Sequence, residues 1–240
     1  AFVPGLDGDA AYALCHELDA QLQQTLQFAA SYDFGFLTSR ITDCGSGMKV
    51  SMRVHLPSIS FNGKLADCFK TLQEKGVDIA ACFGSGQGQG TSLGAYYQIA
   101  TRNSAVGSEF DQMAAIVAAV KYLAECERRE REAVLQQRPT ELQDAVLRAY
   151  ALAKFSSLMP QRESVDIIAK LKWGKDTGLV SGIADSELCA LLYRIQDGHL
   201  QFVLKNGTFH FPADIAEDRA LQAQRLRALI VQEAFEPLHV

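Results

Sequence analysis

The segment Met48-Lys49-Val50-Ser51-Met52-Arg53-Val54-His55-Leu56, closed by Pro57, decides the fold class of this chain. Met48, Val50, Met52, Val54 and Leu56 alternate with more polar residues, the period of two that puts apolar side chains on one face of a strand. Proline has no amide for a ladder, so Pro57 ends the run. Upstream, Phe34-Gly35-Phe36-Leu37-Thr38 reads as a second short strand. The turn-like Thr42-Asp43-Cys44-Gly45-Ser46-Gly47 between them predicts an antiparallel pair. Downstream, 77–83 and 94–101 read as strands around the loop Gly84-Ser85-Gly86-Gln87-Gly88-Gln89-Gly90-Thr91-Ser92. Phosphate-cradling glycine loops open a helix; this one leads into a strand, so it is not a P-loop.

Helices are predicted around these strands. Residues 9–31 place Tyr12, Leu14, Cys15, Leu18, Leu22, Leu26 and Ala29 on one face, expected to be buried. A second helix spans 63–75 and stops at Gly76. A third, 109–131, ends in the charged run from Glu125 to Glu132, read as a solvated tip. From Thr140 the pattern is mostly helical. Thr140-Glu141-Leu142-Gln143 has the arrangement of a capping box, and helices follow at 141–157, 162–172 and 185–195. Lys205-Asn206-Gly207 is read as the turn of a small hairpin, 200–204 with 207–211, before a last helix from about Ala213 to Phe235. Strands and helices follow no βαβ rhythm. The fold class is α+β, an antiparallel sheet flanked by helices, with a core over 1–137 and a mainly helical C-terminal subdomain over 138–240.

Composition narrows the function. The 240 residues carry a net charge of −5, so no basic surface announces nucleic acid or an anionic membrane. No apolar run reaches the roughly 20 residues that span a bilayer, and no signal peptide is visible. Six scattered cysteines without a CxxC pair read as reduced thiols of a cytoplasmic protein, with no metal site. The chain opens inside an apolar phrase, Ala1 to Leu6, and reads as a piece of something longer.

One resemblance covers nearly the whole chain. Phe34-Gly35-Phe36-Leu37-Thr38-Ser39, then Gly45-Ser46-Gly47-Met48-Lys49-Val50-Ser51-Met52, then His55-Leu56-Pro57, resembles G-[YF]-L-T-x-C-P-T-N-x-G-T-G-[LM]-R-A-S-V-x-x-H-L-P. That is the signature of ATP:guanido phosphotransferases (phosphagen kinases). Val3-Pro4-Gly5-Leu6 resembles their F-P-G-L, Tyr97-Gln98-Ile99-Ala100 the strand their substrate loop returns to, and Val146-Leu147-Arg148-Ala149-Tyr150 their V-x-R-[AS]-Y. Gly178-Leu179 and the helix Leu188-Cys189-Ala190-Leu191-Leu192 follow in order. The helical features after Thr140 favour the protein-arginine kinase branch.

The resemblance implies that ATP, with Mg2+, donates a phosphoryl group to a guanidinium. Arginines clamp the phosphates, carboxylates orient the guanidinium, and a cysteine lies beside it. Several of those positions are replaced. The arginine of G-[LM]-R-A-S aligns with Lys49, which keeps the charge and loses the planar fork. A second clamp arginine aligns with Ala80, and losing one preorganised donor costs ~3–4 kcal/mol of transition-state stabilisation. The glutamate beside it aligns with Ser85, and a general base contributes roughly 10²–10⁴-fold. The cysteine aligns with Arg40, a cation that would repel a guanidinium and could bind phosphate. Arg53 takes the adenine-side position. The glycine loop is then a flexible vestige of the substrate loop. Of the allosteric R-D-x-x-R-A motif, Ile215, Ala216, Arg219 and Ala220 retain the second half.

No catalytic position is intact, and nucleotide-binding candidates are Lys49, Arg53 and Arg40, with Arg219 as the allosteric remnant. The family's other catalytic residues would precede Ala1. The expectation is a pseudokinase-like, catalytically impaired protein-arginine-kinase domain acting as a regulatory or nucleotide- or partner-binding subunit, with ATP and Mg2+ binding weakened or lost. The alternative is an active phosphotransferase moving the ATP γ-phosphoryl group to arginine of a protein. The resemblance also implies a homodimer with protein partners of the stress-response regulator or Clp chaperone type.

Overall fold

The computed structural model describes residues 3–86, 91–104 and 107–239. In chain order its elements are α1 (Gly8–Gln23), β1 (Ala30–Ser31), β2 (Gly35–Phe36), β3 (Ser51–His55), α2 (Pro57–Phe61), α3 (Leu65–Gln73), β4 (Val77–Ala81), β5 (Tyr96–Thr101), α4 (Glu109–Gln137), α5 (Pro139–Phe155), α6 (Gln161–Asp176), α7 (Asp185–Arg194), α8 (Asp197–Asn206) and α9 (Arg219–Ala234). Small antiparallel sheets carried with many helices make this α+β. The chain forms two compact units, each assembled from separated stretches. Unit 1 takes Ala1–Val54, Gly63–Cys82 and Tyr97–Cys126; unit 2 takes His55–Asn62, Phe83–Tyr96 and Glu127–Val240.

In unit 1 the main sheet runs β3-β5-β4, with β4 antiparallel to β5. Tyr97 and Ile99 of β5, Leu72 of α3 and Ile116 and Leu123 of α4 are fully buried and form its core. The expected pairing of the 34–38 and 48–56 strands does not occur. β2 instead pairs with β1, and Phe36 exchanges both backbone bonds with Gly45, at 2.9 and 3.1 Å. Gly35 permits this approach: its φ is +66°, and a Cβ there would lie 2.4 Å from the Gly45 oxygen. The 42–47 segment therefore folds back on β2 rather than turning β2 onto β3. The helix expected over 9–31 stops at Gln23, its last turn closed by the Thr25 and Leu26 amides on the Leu22 carbonyl. Its apolar stripe is not buried either: no residue of α1 is buried, and Leu14, Leu18 and Leu22 stay exposed.

Unit 2 is organised by α5 and α6. Gly174 lets them meet, since a Cβ there would lie 2.6 Å from Val146 Cγ1 and 2.7 Å from Val180 Cγ2. Trp173 of α6 donates its indole N–H to the buried Ser58 hydroxyl at 2.9 Å. α5 starts with Pro139 in its first turn after Arg138, so the Thr140 capping box is not formed. Proline suits that position because the amide it lacks would have no intrahelical acceptor. The charged end of α4 is not a solvated tip: Glu127 and Glu130 are 3% and 4% exposed. Glu127 accepts from the Ser58 and Ile59 amides at 2.9 and 3.0 Å, capping α2 from a distant part of the chain. Burial pushes its carboxyl up, and the Ile59 and Ser58 donors pull it back.

The predicted hairpin at 200–211 is also overturned. Residues 197–206 form α8, with Leu200 and Leu204 buried four apart on one face and Asn206-Gly207 at the helix end. The last helix begins later than expected, at Arg219, where Asp218 accepts from the Ala220 and Leu221 amides. Arg227 of α9 is buried and donates to the Ile195 and Met159 carbonyls, both at 2.8 Å, and to Asp197.

Candidate nucleotide-facing strand and substrate-loop neck

The register of the main sheet decides which sequence candidates meet. Thr101 donates its amide to Val50 at 3.1 Å and Leu56 donates to Ala95 at 2.9 Å, an antiparallel pattern that sets Arg53 opposite Gln98. Gln98 in turn pairs with Ala80. Arg53, Gln98 and Ala80 therefore form one row across one face, with a guanidinium at one end and a methyl at the other. Arg53 and Ala80 are exposed. Lys49, two residues before β3, is exposed as well. Burial pushes the Cys82 thiol up, and the positive charge of Arg53 pulls it the other way.

Arg40 lies apart from that row, exposed at the entry of the short 3-10 turn Ile41–Asp43. Its carbonyl accepts from the Thr38 hydroxyl at 2.6 Å. Cys44 returns to the same loop: its sulfur lies 3.4 Å from the Thr38 amide and 3.7 Å from the Arg40 carbonyl. Ser104 ties this loop to the sheet by accepting from the Ser46 amide at 3.2 Å and donating to the Thr42 carbonyl at 3.0 Å.

Ser85 belongs to unit 2, in the neck of the glycine loop, whose central residues 87–90 lie outside the described residues. The neck is narrow: Ser85 bridges Ser92, Gly86 donates to Thr91 at 2.8 Å, and Leu93 donates to Gly84 at 2.9 Å. Arg162 of α6 donates to the Ser85 carbonyl at 2.7 Å. Sequence reasoning missed this cation, which sits in an unremarkable helix start; no local signal marks it. Behind the neck, Gly94 and Ala95 both have positive φ, 65° and 55°, strained for alanine.

His55 was read only as part of the strand motif. Both ring nitrogens are buried without a hydrogen-bond partner of good geometry, and the ring stacks on Tyr96 at 4.5 Å. Desolvation lowers its pKa to about 3, helped by the charges of Lys172 and Arg131, with the Gly94 carbonyl opposing.

Arg219 stands exposed in the first turn of α9, while Ile215 is buried. The amides at that helix start are taken by the Asp218 carboxylate, which already supplies the negative charge such a terminus favours. Among the described residues no group of three or more acidic, histidine or cysteine side chains could hold a metal ion. No helix among the described residues is long and apolar enough to cross a membrane.

A small antiparallel sheet with Arg53 exposed on β3, a glycine loop between β4 and β5 in the chain, and a helical unit after α4 are the features of the guanido-kinase class. Residues 1–130, more than half of the chain, match the profile of the ATP:guanido phosphotransferase C-terminal catalytic domain, and 139–238 match the protein-arginine kinase McsB C-terminal domain. The chain belongs to the ATP:guanido phosphotransferase family. It is similar to the protein-arginine kinase of Syntrophomonas wolfei, 30% identical over 83% of this chain and 55% of that protein. It is likewise similar to that of Clostridium acetobutylicum, 27% identical over 84% of this chain and 58% of that protein. The chain thus spans little more than half the length of the curated relatives it matches.

Proposed function

We propose that this chain is a protein-arginine-kinase-like domain with impaired phosphoryl transfer, acting as a regulatory subunit that binds nucleotide or a protein partner. The row Arg53–Gln98–Ala80 carries this reading. By resemblance the family has a clamp arginine at position 80, where this chain has a methyl. Lys49 leaves one cation for phosphate, a lysine where a bidentate fork would be, and Arg53 stands at the adenine-side position. Ser85 offers no carboxylate to orient a guanidinium, and its backbone carbonyl receives Arg162 instead. Held ATP would thus lack one charge on the transferring group and one partner for the acceptor. As a partner-binding subunit it would pair with a second copy or a stress-response regulator.

The test is to incubate the full-length protein with radiolabelled ATP and an arginine-rich acceptor. Binding of ATP by titration calorimetry without acid-labile phosphoarginine is the expected result. Phosphoarginine well above background would overturn it. That outcome is the second reading, an active enzyme with a rearranged site, and one observation favours it: the Cys44 thiol packs against the Thr38–Arg40 loop, where the family carries its cysteine.

A further inference from the structure

Cys68 of α3 and Cys126 of α4 are both buried in unit 1, 7% and 3% exposed, and neither is in a disulfide. They gather around one hydroxyl. That of Tyr122 is hydrogen-bonded to the side chains of Thr71 and Cys126 and lies within the electrostatic reach of Cys68. The Lys75 ammonium, just past the end of α3, lies over the Tyr122 ring, 6.0 Å from its centroid. Cys68, Thr71 and Lys75 are spaced i, i+3 and i+7, and Tyr122 and Cys126 are spaced i, i+4, so each set occupies one stripe. Tyr122 meets the last turn of the α3 stripe. One turn further along α4 therefore falls one turn earlier on α3, which sets Cys126 against Cys68. The core holds both helices in that register: Leu72 and Leu123 are fully buried, and Phe69 packs edge-on against Tyr97 of β5 with ring centroids 5.0 Å apart.

We propose that Cys68 and Cys126 form a redox site, two thiols that close to a disulfide tying α3 to α4 when a hydroperoxide reaches them. One thiolate attacks the peroxide O–O bond, which leaves a sulfenic acid on that sulfur and releases an alcohol, or water from hydrogen peroxide. The second thiol then displaces the sulfenic oxygen, which departs as water with that thiol's proton, and the S–S bond forms. The two sulfurs together lose two electrons, and the peroxide takes them. A buried thiol standing alone would go on to oxides that thiols do not reverse; a second one beside it diverts the sulfenic acid into a bond that a dithiol reopens. Burial sets the order of reaction, with the exposed Cys15 and Cys189 oxidised first. The site does not depend on whether phosphoryl transfer survives.

The full-length protein is treated with hydrogen peroxide, remaining thiols are alkylated, and the unreduced digest is read by mass spectrometry. A Cys68–Cys126 linked peptide is the expected product, lost after dithiothreitol and missing from Cys68→Ala. Oxidation raises the thermal midpoint of the wild type by about 5 °C or more, because the bond closes a long loop, and reduction returns it. The double variant Cys15→Ser, Cys189→Ser keeps both results. Recovery of Cys68 and Cys126 as alkylated thiols or as sulfinic acids, once the exposed cysteines have reacted, would overturn the proposal. So would linkage of either one to a different cysteine, or a linked peptide that forms only in urea, where the unfolded chain and not the fold brings the sulfurs together. The wild-type digest decides the matter even where Cys68→Ala fails to fold.

Discussion

At position 80 a methyl group occupies an exposed place on the edge strand, directly across Gln98 from Arg53. An arginine there would restore the clamp cation that the resemblance places at this position, across the row from the adenine-side Arg53. Ala80→Arg is therefore expected to tighten ATP binding about tenfold, the gain from one charge-assisted bond, with the thermal midpoint nearly unchanged because the site is exposed. Calorimetry on the full-length chain reads both; an unchanged affinity would mean that nucleotide does not lie along this face. His55 makes a prediction of a different kind. Its folded pKa of about 3 lies below the ordinary histidine value of 6.5, so between these values the unfolded chain takes up a proton that the folded one refuses. Stability contributed by the neutral ring is present above 6.5 and falls with pH, by about 2 kcal/mol at pH 5. Urea unfolding followed from pH 7.5 to 5 should show a steeper acid loss for wild type than for His55→Phe, which keeps the stack on Tyr96. Parallel curves would refute it. The alternation from Met48 to Leu56 made the exposure of Lys49 and Arg53 legible in sequence. Nothing in it showed that Arg53 and Ala80 share a row, because register is set by a third strand between them.

Among elements, α2 is the one that sequence reading passed over. Five residues cannot hold a helix on their own hydrogen bonds; here Glu127 supplies the acceptor that the Ser58 and Ile59 amides lack. Glu127→Ala leaves two buried donors open and should cost ~3 kcal/mol, whereas Glu125→Ala on the exposed side should cost under about 0.5 kcal/mol. Thermal melts of the two variants decide it, and equal midpoints would discard the capping role. The run from Glu125 to Glu132 looked solvated because local charge density says nothing about which acid finds a partner 68 or 69 residues away. The hairpin misreading has a local cause. Asn-Gly satisfies both a tight turn and a helix end, and the i, i+4 spacing of Leu200 and Leu204, buried on one face, settles which applies. Long periodic helices such as α4, α5 and α6 were legible because burial and period agree over several turns.

Over the whole molecule, apolar surface is distributed unevenly. In unit 2 the helical core is closed around fully buried residues such as Leu142, Ile168, Ile195 and Phe235, so Leu142→Ala should cost about 2–5 kcal/mol. In unit 1, α1 leaves Leu14, Leu18 and Leu22 exposed. Their triple replacement by serine should change folding stability by less than about 1 kcal/mol, while lowering the binding of a hydrophobic dye; a large stability loss in the full-length protein would mean that something covers the stripe. Unit 2 is also discontinuous in sequence. Ser58, which receives the Trp173 indole proton, lies far upstream of every helix it helps to seat, and the stretch Phe83–Tyr96 belongs with them too. Grafting residues 139–238 of this chain onto a homologue would thus separate its indole from Ser58 and its α6 from the neck that Arg162 holds. Working chimaeras will be those in which two short upstream patches travel along with the tail.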